Sequence, residues 1–472
     1  MRVVLRFLRG LVPGLTLLLP VTAQGETGGR DAELPPVLAF VHVSVIPMDR
    51  EVVLADQTVV VAGDRIAALG PSATVPVPDG AKAIDGTGSY LMPGLADMHV
   101  HVWDEQDLLL FVANGVTAVR NMFGNPLFLE RRQRAGAGEL LAPRIVSAGP
   151  IIDGDPPVWP GSTTLSDPSQ AEAIVVAQKE AGYDFLKPYA RLSPECYDAL
   201  VVAGERHGMA LMGHVPEALD LADVLLARQR TIEHLGGWAE AAQAQGSPLA
   251  GQVDFTTEDD AWMHVDPARL ASIAAEMREA GVWNCPTLVV FQKWVQGNEA
   301  KALFERGEMR YASSVFRAMS APESPWNYLS RMPAERAQAA RRSVEPRKRA
   351  VAALRAAGAG ILAGTDTGNP YVLPGFALHE ELANLVDAGL SPFEALRAAT
   401  ANGAECMQAD WGVVAQGRTA DLLLLGANPL EDVRNAAKRK GVVLGGRWFA
   451  EEELRAELEK RAEVGIETEA GK

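Results

Sequence analysis

The sequence predicts an α/β protein: a (β/α)₈ TIM barrel with a small β-sandwich domain formed from both ends of the chain. Three observations lead to this prediction. From about residue 91, strand-sized apolar runs alternate with helix-sized segments, which is typical of repeated βα units. Eight such units spread over roughly 310 residues, which fits this barrel. Short strand-like segments precede and follow the barrel region, and they form the predicted sandwich.

Eight apolar segments, several rich in β-branched residues, are the predicted barrel strands. In chain order they are Gly94–Val102, Gly115–Asn121, Arg144–Ala148, Asp184–Tyr189, Ala210–Val215, Thr231–Leu235, Trp283–Val290 and Gly360–Asp366. Helical patterns lie between them, as in Ser193–His207, Pro267–Ala280 and Arg347–Ala357. The same alternation is compatible with an open, doubly wound sheet, and periodicity alone leaves both architectures open.

The segments outside the barrel also indicate strands. Residues 37–46, 57–61 and 65–69 on one side, and 421–425 and 441–444 on the other, are short apolar runs between turns. The chain of 472 residues is long enough for a barrel and a smaller partner domain. The predicted divisions are a signal peptide (1–23), the N-terminal part of the sandwich (24–90), the barrel (91–404), the C-terminal part of the sandwich (405–450) and a charged tail (451–472).

The first residues have the features of an export signal. Arg2, Arg6 and Arg9 form a basic leader, an apolar core follows at Leu11–Leu19, and Val21–Ala23 is a small-residue cleavage site. That apolar core is shorter than the roughly 20 residues that a spanning helix needs. We therefore expect export, to the periplasm or the medium, with cleavage near Ala23 and no membrane attachment afterwards.

Net charge and cysteine content limit the classes of binding partner that we expect. Lys and Arg total 44 against 60 for Asp and Glu, which gives a net charge of −16 and disfavours nucleic acid as a partner. The three cysteines match neither a disulfide framework nor a zinc–thiolate pattern, so small buried residues are expected there. A small molecule or a short peptide is the expected partner, and a homo-oligomer remains open.

Metal-competent side chains cluster at the predicted carboxyl ends of the barrel strands, where active sites of this fold are assembled. Residues two apart in a strand point to the same side, so two of these histidines can both face the barrel axis. Taken singly, each residue also fits a packing, capping or surface role, but together they share no structural explanation. The six residues are His99, His101, Lys187, His214, His234 and Asp366.

At these positions the sequence resembles the amidohydrolase superfamily. Leu91–His101, which reads LMPGLADMHVH, is similar to the first-strand signature of that superfamily. Thr231–Leu235 and Ala363–Gly368 are similar to its sixth and eighth strands, and Asp85–Gly88 and Thr419–Leu422 to the segments that flank its barrel. The resemblance spans nearly the whole mature chain.

Two further segments specify the branch of the superfamily. Leu192–Glu195 after the fourth strand and Met212–Pro216 in the fifth are closest to the imidazolonepropionase-like and prolidase-like branch. The sequence departs from the pattern of the superfamily at Pro188, directly after Lys187. Proline has no backbone N–H to donate to a neighbouring strand, so it is unusual within a central strand.

The resemblance implies a dinuclear metal site. His99, His101 and Asp366 would hold one divalent ion, His214 and His234 would hold the second, and an N6-carboxylated Lys187 would bridge them. Zinc suits these ligands best, with manganese, cobalt and iron as alternatives. A hydroxide held between the metals would be the nucleophile, and Asp366 would be the catalytic residue that moves its proton. Without the carbamate, the site would be mononuclear.

The expected activity is hydrolysis of an amide or related C–N bond, with small peptides or N-acyl amino acids as favoured substrates. Ester, lactone or phosphotriester cleavage on the same dinuclear site is an alternative, and so is a mononuclear cyclic-amide hydrolase or deaminase. A non-catalytic scaffold is the least favoured alternative, because such a homologue would show gaps in the ligand set.

Overall fold

The computed structural model describes residues 37–254 and 256–470, without the side chains of residues 464–470. The predicted signal peptide at 1–23 and the start of the predicted sandwich at 24–36 lie outside the described residues, so the structure does not bear on them.

The described strands are, in chain order, β1 (Leu38–Val45), β2 (Leu54–Ala62), β3 (Arg65–Pro71), β4 (Lys82–Asp85), β5 (Tyr90–Pro93), β6 (Leu95–Val100), β7 (Val116–Asn121), β8 (Arg144–Ser147), β9 (Ile152–Asp153), β10 (Thr163–Thr164), β11 (Met212–Gly213), β12 (Thr231–Glu233), β13 (Trp283–Cys285), β14 (Gly360–Ile361), β15 (Leu422–Leu425), β16 (Arg439–Leu444) and β17 (Arg447–Ala450).

The described α-helices are α1 (Leu108–Ala113), α2 (Pro126–Gly136), α3 (Ala171–Ala181), α4 (Pro194–His207), α5 (Leu221–Leu226), α6 (Trp238–Ala241), α7 (Glu258–Ala261), α8 (Pro267–Ala280), α9 (Leu288–Gln292), α10 (Gly297–Phe304), α11 (Ser314–Ser320), α12 (Ala334–Ala357), α13 (Phe376–Asp387), α14 (Pro392–Ala398), α15 (Ala401–Met407) and α16 (Glu451–Ala470). Short 3₁₀ helices lie at Glu105–Asp107, Pro168–Gln170, Trp262–His264, Gly307–Tyr311 and Val433–Ala437.

One eight-stranded sheet joins the two ends of the described chain. Its order is β17-β16-β15-β5-β1-β2-β3, and β4 also pairs with β1. The rings of Phe40 in β1 and Trp448 in β17 meet at 5.5 Å although three strands separate β1 from β17, so the sheet curves over its apolar core. The predicted two-sheet sandwich is not confirmed, because the strands form one continuous hydrogen-bonded sheet.

The barrel strands form two parallel sheets, β6-β7-β8 and β11-β12-β13-β14. Isolated parallel bridges between Ala148 and Phe185, between Leu186 and Leu211, and between Val100 and Thr367 link the edges of these sheets. The regular strands do not close into one continuous sheet within the described residues. The eight segments nevertheless follow one another in the order of a TIM barrel, with their carboxyl ends on one side.

Helix boundaries follow the capping residues that the sequence shows. The side chain of Ser193 accepts from the Cys196 N–H at the start of α4, which opens with Pro194. Helix α8 begins after Asp266 in the same way, and its bounds are those predicted. Helix α12 also stops where predicted, before Gly358 with φ of 69°, but it begins at Ala334 rather than at Arg347.

Four strand predictions are wrong in part. Ala210–Val215 and Gly360–Asp366 contain regular strands of two residues each, β11 and β14. Trp283–Val290 is a three-residue strand, β13, followed by helix α9, because Thr287 takes a left-handed conformation and Glu381 accepts hydrogen bonds from the first N–H groups of α9. Asp184–Tyr189 makes only isolated bridges, in keeping with the missing donor of Pro188. Apolar periodicity does not separate a short buried strand from a short buried helix.

Among the described residues, no helix is both long enough and apolar enough to cross a bilayer. The three cysteines are buried and unpaired, as expected for small core residues.

Close packing between the first and last barrel strands leads to a stability prediction. A Cβ on Gly364 would lie 2.4 Å from the Cys285 sulfur and 2.8 Å from the His99 backbone nitrogen. We therefore expect Gly364→Ala to lower the free energy of unfolding by about 1–3 kcal/mol, since overpacking forces neighbours to move. Thermal unfolding followed by circular dichroism measures this. Gly136→Ala is the matched control, because that helical site is open; an equal loss there would contradict the packing argument.

Candidate metal centre

Six polar side chains meet at the carboxyl ends of the barrel segments. His99 lies in β6 and His101 follows it. His214 and His234 each come one residue after β11 and β12. The other two come from segments without regular strand geometry at those positions, and they are Lys187 and Asp366. The structure thus brings together all six residues singled out in the sequence.

Asp366 faces both histidines of the first strand. Its Oδ1 lies 3.4 Å from His99 Nε2 and 3.2 Å from His101 Nε2. The three residues each offer one ligand atom, and those atoms lie within 4.8 Å of one another. Imidazole and carboxylate groups at this spacing can hold a divalent metal ion.

The other histidines continue the cluster. The rings of His99 and His234 have centroids 4.6 Å apart, and those of His234 and His214 are 5.0 Å apart. Lys187 is 1% exposed, and burial lowers its pKa to about 8 although Glu233 and Asp366 act in the opposite direction. Its amine therefore loses its proton more readily than an exposed lysine.

Unpartnered nitrogen atoms show that these residues fit a metal. His99 Nε2, His101 Nδ1 and His214 Nδ1 are buried and have no hydrogen-bond partner in the described structure. Buried polar atoms without partners are costly, so several in one place indicate a missing ligand. The protonation states agree, because burial and then the charge of Lys187 hold the pKa of His99 and His214 well below the ordinary range. A neutral imidazole is the form that ligates metals.

The carboxyl group of Asp366 is ionised. Burial alone would raise its pKa, but the electrostatic interactions with His234, His101 and Lys187, together with the hydrogen bond to His101, outweigh burial and lower it. An anionic oxygen beside the neutral imidazole of His99 provides the negative charge that a cation requires.

A buried ion pair orients His99, and the sequence-based search missed it. Glu233 accepts a hydrogen bond from His99 Nδ1 at 2.7 Å, which leaves Nε2 directed at Asp366. Arg120 donates from one amino group to both oxygens of Glu233, at 2.9 and 3.0 Å. Carboxylates behind metal-binding histidines fix the tautomer and the orientation of the ring. Both charged residues stand inside apolar strands, and that position is the sequence feature that could have pointed to them.

His234 is held by two contacts. Thr287 Oγ1 lies 2.7 Å from His234 Nδ1, and Arg347 donates to the His234 carbonyl at 2.8 Å. His234, Thr287 and Asp366 all have positive φ, at 60°, 48° and 57°. Non-glycine residues in this region are strained, and such strain concentrates at functional sites.

Cys285 lies beside His99 and Glu233, close enough to complete a second possible ligand group. Burial raises the pKa of its thiol well above the ordinary value, and the Glu233 oxygens already bind Arg120 and His99. This group therefore supports the site from behind rather than binding a metal.

Four further aromatic residues and one histidine of the barrel region divide into two sets. Trp238 and Trp262 are fully buried and pack the barrel, and His379 hydrogen-bonds the Asn114 carbonyl. Trp159 and Tyr189, by contrast, join the histidine cluster through the ring of His214.

Comparisons with known proteins agree with this fold. Residues 90–449 match the Amidohydrolase family. Adenine deaminase 2 of Bradyrhizobium sp. (strain ORS 278) is 25% identical over 398 residues, which is 83% of this chain and 54% of that protein. The chain thus spans about half the length of that relative.

Solved structures match across nearly the whole chain. A bottromycin amidohydrolase superposes with a TM-score of 0.73 at 26% identity, covering 92% of this chain and 91% of that one. A prolidase complexed with N-methylphosphonate-L-proline gives 0.63 at 22% identity, covering 88% and 99%; this second likeness shows the fold alone.

A TIM-barrel architecture with imidazoles, a lysine and a carboxylate at the carboxyl ends of its strands defines a hydrolase class. The chain belongs to the Amidohydrolase family, whose model matches about three quarters of it. Members of this family are hydrolases that act on C–N bonds.

The contact between Thr287 and His234 yields a prediction about metal affinity. Thr287→Val keeps the side-chain shape and removes the hydroxyl that orients His234, so we expect the dissociation constant for Zn²⁺ to rise about tenfold. Competition with a chromophoric chelator measures it. Thr58→Val is the control, because that buried hydroxyl bonds Ser72 in the terminal sheet. Equal affinity in wild type and Thr287→Val would contradict the orienting role.

Proposed function

We propose that the protein is a metal-dependent amidohydrolase that cleaves an amide or related C–N bond, with small peptides or N-acyl amino acids as substrates. The observation that carries the proposal is the set of unpartnered imidazole nitrogens around an ionised Asp366 and a buried Lys187. The family and the likeness to peptidases and amidohydrolases support the reaction class.

In this proposal, His99, His101 and Asp366 would hold one divalent ion, preferentially zinc, and His214 and His234 would hold a second. Lys187 would be a ligand shared by both ions once its neutral amine adds CO₂ and releases a proton, because an ammonium group cannot ligate a cation whereas the resulting carbamate is an anionic oxygen ligand. Burial favours the neutral amine that reacts with CO₂. Bound metals would supply Lewis acidity toward the scissile carbonyl and would acidify water.

Asp366 is the proposed proton carrier. Its carboxylate is ionised and lies beside the two histidines of the first strand, so it can accept a proton from water and return it to the leaving nitrogen. Asn369 holds the Asp366 backbone, since its side-chain amide donates to the Asp366 carbonyl at 2.7 Å.

A mononuclear cyclic-amide hydrolase or deaminase is the second candidate. The compact group of His99, His101 and Asp366 could hold a single metal, and the adenine deaminase relative supports this chemistry. Cleavage of esters, lactones or phosphotriesters is a further alternative, which rates on matched ester and amide pairs would separate.

We also propose that the chain is exported and cleaved near Ala23, on the basic leader and short apolar core of its first residues. N-terminal sequencing of the protein from a native-like host tests this, and an intact Met1 in the recovered protein would contradict it.

Metal stoichiometry distinguishes the two site models. Plasma mass spectrometry of wild type should give about two equivalents of metal per chain, falling to one or fewer in Lys187→Ala. Lys301→Ala, at an exposed lysine, is the control and should match wild type. One equivalent in both wild type and Lys187→Ala would favour the mononuclear candidate. No metal in wild type after reconstitution would refute the proposal.

The role of Asp366 is tested kinetically. Asp366→Asn keeps the size of the side chain and removes its basicity, so we expect kcat to fall at least about 100-fold on any dipeptide or N-acyl amino acid that wild type hydrolyses. Metal content of the variant is measured alongside, since loss of a ligand would also lower kcat. Unchanged kcat with full metal content would exclude Asp366 as the proton carrier.

A further inference from the structure

Aromatic side chains lie beside the candidate metal centre. Four residues from four separate loops form this set, which we call the aromatic collar: Trp103, Trp159, Tyr189 and Tyr328. Each of them is tied, directly or through one neighbour, to a residue of the centre.

Trp103 covers the first-strand side. Its ring stacks on the ring of His101 with centroids 6.2 Å apart and planes 15° apart, and its indole N–H donates to the Gly368 carbonyl at 2.9 Å. The hydrogen bond holds the ring between the loop after β6 and the loop that follows Asp366. The ring nevertheless remains 44% exposed.

Tyr189 and Trp159 lie beside another histidine of the centre, His214. The Tyr189 ring lies 4.2 Å from the ring of His214, and its hydroxyl accepts from the Trp159 indole N–H at 2.8 Å. Trp159 is 42% exposed, so the pair extends from the metal-binding histidine outward to solvent.

Tyr328 closes the collar from the segment before α12. Its hydroxyl donates to Asn369, which in turn bonds the Asp366 carbonyl. The enclosure of its hydroxyl end, together with the nearby Asp366 and Tyr189, raises the pKa of Tyr328. The Tyr328 side chain is nevertheless still 38% exposed.

Exposed aromatic rings concentrated beside one candidate site indicate a binding surface, since large exposed apolar side chains are otherwise scattered. Their polar atoms are already engaged with Gly368, Tyr189 and Asn369, so the surface that remains to a ligand is mainly flat and apolar. Flat rings favour offset or edge-to-face contact with another aromatic group.

We propose that the collar selects substrates whose portion distal to the scissile bond carries an aromatic group. This inference rests on the proposed amide hydrolysis and specifies its substrate class: N-aromatic-acyl amino acids, or dipeptides with an aromatic residue on the acyl side. The reacting carbonyl sits at the histidines, and the distal group extends outward between the Trp103 and Trp159 rings.

The test compares two substrates that differ only in the acyl group, N-acetyl-L-leucine and N-(2-naphthoyl)-L-leucine, with metal-replete protein. We expect kcat/KM to be at least about tenfold higher for the naphthoyl compound, chiefly through KM. Equal values, or a preference for the acetyl compound, overturn the collar proposal and leave amide hydrolysis standing. If neither compound nor any member of a dipeptide panel is hydrolysed, the proposed function itself fails.

Variants test whether the aromatic collar causes the preference for the naphthoyl compound. Trp159→Ala should reduce the ratio of the two kcat/KM values about tenfold, and Trp159→Phe should recover most of it. Trp326→Ala removes a 72% exposed tryptophan in the segment that carries Tyr328 and should leave the ratio unchanged. An equal reduction in Trp326→Ala, or no reduction in Trp159→Ala, contradicts the proposal. Inhibition of wild type and Trp159→Ala by 2-naphthoate measures binding without turnover, and should weaken in the variant.

Discussion

The ion pair between Arg120 and Glu233 is the constraint on which the candidate metal centre depends. Both residues are fully buried, and a buried charge is tolerated only when it is paired and fully hydrogen-bonded. Arg120 also donates to the Met98 carbonyl and to Thr231, while Glu233 accepts from His99. These contacts hold three barrel strands, β6, β7 and β12, in one fixed relation. The direction of the His99 ring is therefore set by charges that no substrate touches.

The backbone around the centre is strained and locally compensated. His234, directly after β12, and Asp366 both take a left-handed conformation, and their side chains face His99. Arg347 binds the His234 carbonyl and stacks against Phe291, and Asp97 accepts hydrogen bonds from Thr365 just before Asp366. Burial raises the pKa of Asp97 to about 7, against the effect of those bonds. The scaffold thus stabilises each unfavourable turn with a specific buried contact.

The sequence was enough to predict the βα order and the six residues at the strand ends, because histidines in apolar strands are unusual and their spacing places them on one side. The sequence did not indicate the buried ion pair that orients His99. Arg120 and Glu233 lie more than a hundred positions apart, and only the folded barrel brings them together. Helix α9 was not predicted for a similar reason, because its first N–H groups donate to Glu381, nearly a hundred residues later in the sequence. Trp103 and Tyr328 stand in loops, where sequence patterns carry little positional information.

The sheet shared by the chain ends has a consequence for the order of events during biosynthesis. Strand β5 pairs with β15, which is made only after about 330 further residues, so this pairing closes a very long loop. Such remote pairings slow folding, and until they form, the apolar faces of β1 and β5 stay open to the wrong neighbours. The ribosome must pass β17 before the sheet can be completed, so the first strands wait for partners through the synthesis of the whole barrel.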